Sequence, residues 1–241
     1  MAHHLLRPGR MLWAVSGLAL AVLAAAQLAL PGFVENRIAK GLRLSFDDVE
    51  IERAEVRAYP AYKLLSGRID SVNLDLRRVA SGGLTLDAVL VEGRNVKLDM
   101  RRLVSGEGVR VTAADVLRGT FVVAENDLNA YFASQSEEWG VFRIRLDSGR
   151  AVVSGNVNFL GRDLAVRVAG EFRVRGGTSI LFVPAEVEVE NTALPQPLLD
   201  LIAQGWAVSF DLDFDREAIP LVVEDVAVED GRLFIYGNRP D

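Results

Sequence analysis

A period-two alternation of apolar and polar residues recurs through most of this chain, and it commits those stretches to half-buried β-strands. The longest run, "LAVRVAGEFRVR", sets Leu164, Val166, Val168, Gly170, Phe172 and Val174 on one side, about 40 Å of strand at ~3.3 Å per residue. Gly170 at its midpoint invites a bend. "SVNLDLRR" aligns Val72, Leu74 and Leu76; "LTLDAVLV" aligns Leu84, Leu86, Ala88 and Leu90; "NVKLDM" aligns Val96, Leu98 and Met100. In "VEIERAEVRA" the phase slips between Ile51 and Ala54, which predicts a β-bulge. "VFRIRLD", "ILFVPAEVEVEN" (broken at Pro184), "AVSFDLDFD", "IPLVVEDVAVE" and "GRLFIYG" complete the set, the last two joined by an Asp230-Gly231 hairpin turn.

Helical spacing is confined to short stretches. "PGFVENRIAKGLRL", entered through Pro31, places Val34, Ile38 and Leu42 four apart on an amphipathic helix that lies on a membrane or caps the domain. "GTFVVAENDLNAYFASQ" reads as a strand running into a helix with Leu128, Tyr131 and Phe132 toward the core, and "LPQPLLDLIAQGW" as a helix started by Pro197. Roughly ten strands and three or four short helices describe an α+β, mostly β fold. Its expected form is a highly curved antiparallel sheet or half-barrel wrapped on short helices.

Residues 11–30, "MLWAVSGLALAVLAAAQLAL", carry no charge, and a helix of that length spans ~30 Å, the hydrocarbon thickness of a bilayer. Arg7 and Arg10 ahead of it favour a cytoplasmic N-terminus with the remainder outside. The run reads equally as a signal peptide cleaved after Ala26. The expected division is therefore 1–32, signal peptide or membrane anchor, and 33–241, one β-rich domain, anchored or secreted on the extracytoplasmic side.

The chain has no cysteine, and its two histidines, His3 and His4, precede the apolar run. The exported part thus lacks a Ser-His-Asp triad, a cysteine nucleophile and a histidine or thiolate zinc site. Without residues 1–26 the count is 25 bases against 33 acids, a net charge of −8, unsuited to nucleic acid. Asp211, Asp213 and Asp215 in "DLDFD" echo calcium-loop spacing, but the apolar residues between them and the missing glycine fit the solvent face of a strand. Glu137 and Glu138 are adjacent and fix no separation that acid–base catalysis demands. No catalytic group, cofactor or metal is expected.

"VRAYPAYKLLSGRIDSVNLDL" follows the order strand, aromatic-proline pair, short turn, next strand. With "LRGTFVVAENDLNAYFA", "LPQPLLDLIAQ" and "IPLVVEDVAVEDGRLFIYG" in the same order, it resembles the LmeA-like phospholipid-binding family of exported bacterial proteins. The resemblance spans roughly residues 33–238. It implies a tubular lipid-binding module, a curved sheet about a helix, and a non-enzymatic protein that holds or shuttles phospholipid for envelope assembly or maintenance. The partners implied are phospholipid and membrane.

A carrier needs a continuous apolar trough, since exposing roughly thirty methylenes costs on the order of 20 kcal/mol. Leu164, Val166, Val168, Phe172 and Val174 offer one, and the same face also suits packing against helices. Tyr59, Tyr62, Lys63, Leu64 and Arg68 offer a mouth and headgroup site, because tyrosines beside bases suit a membrane interface. The alternative is an ordinary corner with its tyrosines packed on the barrel end. The rival function is a membrane-anchored envelope scaffold with no lipid cavity.

Overall fold

The computed structural model describes residues 25, 27–43, 48–135, 142–159, 162–190, 192–193, 209–212 and 219–240. The expected helix in "LPQPLLDLIAQGW" (194–206), Asp213, Asp215, Glu137, Glu138 and most of the 11–30 run lie outside them.

Among these residues thirteen strands form two antiparallel sheets. The larger runs β1 (Asp48–Arg57), β2 (Arg68–Ser81), β3 (Leu84–Leu98), β5 (Val116–Ala124), β13 (Arg232–Asn238) and β12 (Val222–Glu229), with β4 (Val111–Ala113) beside β3. The smaller runs β10 (Thr192–Ala193), β9 (Ser179–Val189), β8 (Arg162–Arg175), β7 (Arg150–Phe159) and β6 (Arg143–Asp147), with β11 (Ser209–Asp211) beside β9. Three α-helices accompany them: α1 (27–43), α2 (Met100–Ser105) and α3 (Glu125–Gln135). The fold is mostly β, with curled sheets and few short helices. No described helix is long and apolar enough to cross a membrane.

The two sheets share one apolar core. They meet where β12 reaches the tight turns of the smaller sheet: Gly149 donates to the Val228 carbonyl, Gly231 to that of Leu146 and Val223 to that of Gly177, each at 2.9 Å. α3 lies along the free edge of β6 and covers it with side chains. Asn129 donates to the Ile144 carbonyl at 2.7 Å and accepts from the Ile144 N–H at 2.8 Å, while Glu125 accepts from the Leu146 N–H at 2.8 Å. An exposed strand edge is a template for aggregation, and these side chains occupy its backbone groups. That is the structural use of the "ENDLN" segment, whose Leu128 is wholly buried between the two polar contacts.

Local expectations fare unevenly. The slip after Ile51 is a register shift between Ile51 and Arg53, and Asp230-Gly231 closes the β12–β13 hairpin with Glu229 opposite Arg232. Pro184 does not break its strand. β9 runs through it because the register shifts opposite Ala169 and Gly170, a bulge where a residue without an N–H is tolerated. Leu90 is exposed while Val89 and Val91 are buried, so the alternation in β3 changes phase. The change falls close to Arg78 of the paired strand β2, whose φ of 50° is left-handed. Pro31 does not start α1 either; the Leu- and Ala-rich sequence before it is strongly helix-forming, and the helix already runs from residue 27. The boundary drawn after residue 32 thus falls inside a helix.

Gly170 is fixed by packing. A Cβ there would meet the Val183 carbonyl oxygen and stand 2.8 Å from the Phe182 ring. Gly170→Ala is expected to cost about 1–3 kcal/mol by overpacking, read as a lowered urea midpoint; an unchanged midpoint would show that this crossing is loosely packed.

Candidate lipid-binding site

The segment between β1 and β2 follows a period of three. Residues Ala61–Ser66 form a 3-10 turn, in which positions three apart share a face. Ala58, Ala61 and Leu64 face inward and are buried, while Tyr59, Tyr62 and Leu65 face outward, 78%, 56% and 68% exposed. Gly67 closes the turn at φ 74°, donating to the Leu64 carbonyl at 2.9 Å and accepting from the Leu98 N–H at 2.8 Å. Any side chain there would strike the Leu98 carbonyl oxygen.

Two side chains, Asp70 and Gln27, hold the tip. Asp70 accepts from the Tyr59 N–H at 2.6 Å and from the Lys63 ammonium at 2.9 Å, and Gln27 at the start of α1 accepts from the Ala61 N–H at 2.7 Å. Of the residues expected at a mouth, Tyr59, Tyr62 and Arg68 are accessible; Lys63 is engaged by Asp70, and Leu64 is 1% exposed, inside the core. Its neighbour Leu65 takes the outward place. Val104 of α2 and Leu28 of α1 are exposed as well, and α2 reaches the tip through Met100 beside Gly67. Between α1 and the tip lies an open cleft of about 310 Å³ lined by Gln27, Pro31, Val56, Arg57, Ala58, Tyr59 and Asp70.

The expected trough on β8 is packed solid at its centre. Val168 and Phe172 are buried, the Phe172 ring 5.6 Å from Phe182 and 6.2 Å from Phe210. Leu164, Val166 and Val174 toward the strand's ends are half-buried. An apolar cavity lies instead beneath α1, between Ile38 and Leu42 of the helix and Ile69, Val72, Leu74, Val91, Val96 and Leu117 of the larger sheet. It holds about 30 Å³, whereas ligand pockets run to ~300–1,000 Å³. A third recess, about 650 Å³ and polar, opens between α3 and the outer face of β6–β8, lined by Arg143, Arg145 and Arg167; Arg145 pairs with Asp147 and Arg167 with Glu188. Among the described residues no three His, Cys, Asp or Glu side chains are grouped to hold a metal ion.

Residues 25–238 match the family model described as LmeA-like phospholipid-binding. The chain belongs to that family. No curated protein and no solved structure matched it.

The Tyr59 N–H and then Lys63 hold the Asp70 carboxyl below the usual carboxylate range of about 4. A depressed folded-state pKa gives stability above the unfolded value, lost as pH falls through the folded one. Asp70→Asn is therefore expected to speed amide exchange at Tyr59 and in the 3-10 turn at neutral pH. That difference from the wild type should vanish in strong acid; a variant as protected as the wild type at neutral pH would remove Asp70 as the tip's anchor.

Proposed function

We propose that this protein is a non-enzymatic phospholipid carrier that works against the extracytoplasmic face of a membrane, holding or shuttling lipid for the cell envelope. Family membership over residues 25–238 is the observation that carries this reading. The exposed rim of Tyr59, Tyr62 and Leu65 supports it, because aromatic rings with nearby arginines favour the headgroup region of a bilayer. The uncharged run at 11–30 leads the chain into α1, whose Gln27 touches that rim, so an anchored or freshly exported chain would present the rim to the lipid surface.

A second reading is favoured by one observation. An interior with only about 30 Å³ free beneath α1 suits a scaffold filled by its own side chains.

Transfer of a fluorescent phosphatidylglycerol separates the two. The full chain, reconstituted in donor vesicles, is expected to raise transfer to acceptor vesicles in proportion to protein. Tyr59→Ser, Tyr62→Ser and Leu65→Ser together are expected to cut that rate about tenfold, the direction set by lost interfacial contact, with no change in thermal midpoint. No transfer above the protein-free rate would favour the scaffold.

A further inference from the structure

We propose that α1 is a displaceable plug. The acyl chains of a bound phospholipid occupy the groove α1 now fills, and α1 exchanges places with them at the membrane surface. This rests on the phospholipid reading above and adds where the chains go and what must move.

The site is defined by what α1 covers. Val34, Ile38 and Leu42 are 2%, 2% and 3% exposed against the apolar wall formed by β2, β3 and β5. From Leu30, half-buried against the core, to Leu42 the covered stripe runs about 18 Å at ~1.5 Å per residue, slightly more than the ~15 Å hydrocarbon depth of one leaflet. The wall it covers is apolar throughout, whereas the centre of β8 is closed by aromatic rings of its own sheet and of α3.

α1 is also built to leave. Gln27 tethers it to the Ala61 N–H and Glu35 to the Val56 N–H at 3.0 Å, and Gly41 near its end is engaged as well. Pro31, followed by Gly32, interrupts its hydrogen-bond ladder between those tethers, a natural point of bending. Arg37, Lys40 and Arg43 against the single acid Glu35 give the helix a basic polar face, and Phe33 is already 47% exposed. An amphipathic helix of that composition is stable at an anionic lipid surface. Its apolar stripe is thus covered by lipid when it is out and by the sheet when it is in, so the exchange exposes little apolar surface to water at either end.

The absence of cysteine permits a clean lock. A Cβ at Gly41 would stand 3.0 Å from Val109 Cγ2, within reach of a disulfide. Gly41→Cys with Val109→Cys, in the full chain, is expected to transfer phosphatidylglycerol normally when reduced, to lose at least about tenfold when oxidised, and to recover with reductant. Glu35→Ala, which frees one tether, is expected to speed transfer roughly fivefold, one hydrogen bond's worth. An oxidised variant as fast as the reduced one, or a Glu35→Ala chain no faster than the wild type, would overturn the plug while leaving phospholipid transfer standing. No transfer by the wild type would overturn both.

Discussion

The burial of one helical stripe against one sheet governs what this fold can do. Val34, Ile38 and Leu42 together remove on the order of 5–9 kcal/mol of apolar exposure, and they close a face of the larger sheet whose wall is apolar. A phospholipid's chains would bring more apolar area, on the order of 20 kcal/mol against water, but a lipid in a bilayer has already escaped water. The comparison that matters is between two dry arrangements. Helix in the groove with lipid in the bilayer competes with lipid in the groove with helix on the bilayer, and the near balance of those states is what a carrier requires.

The rest of the structure keeps that competition local. α3 satisfies the β6 edge through Asn129 and Glu125, and single main-chain hydrogen bonds from Gly149, Val223 and Gly231 stitch the sheets together. The smaller sheet is closed by contacts among Tyr131, Phe132, Phe172, Phe182 and Phe210. On the other sheet, α1 is held among the described residues by its apolar stripe together with the contacts of Gln27, Glu35 and Gly41.

Much of this was legible in the sequence where local periodicity decides the outcome. The four-residue spacing of Val34, Ile38 and Leu42, the phase slip after Ile51 and the Asp230-Gly231 turn each act within a few residues, and each appears in the structure. What escaped depends on a partner strand. Leu90 turns outward just past the point where β3 runs beside Arg78, a residue of β2 with left-handed φ, and Pro184 stays in its strand because the bulge lies opposite Gly170. The tip was legible in principle: Ala58, Ala61 and Leu64 against Tyr59, Tyr62 and Leu65 is a period of three, the mark of a 3-10 turn, and it separates Leu64 from Leu65. Which sheet face α1 covers was not legible, since alternation marks an apolar face without saying what packs on it.

The most direct measurement is a map of where the acyl chain lies. Phosphatidylglycerol carrying a photoreactive group at an acyl terminus, taken up from vesicles by the full chain and cross-linked, is expected to label β2, β3 and β5 around Ile69, Val91 and Leu117. Labelling confined to the Tyr59–Leu65 rim, or centred on Val168 and Phe172 of β8, would contradict the account.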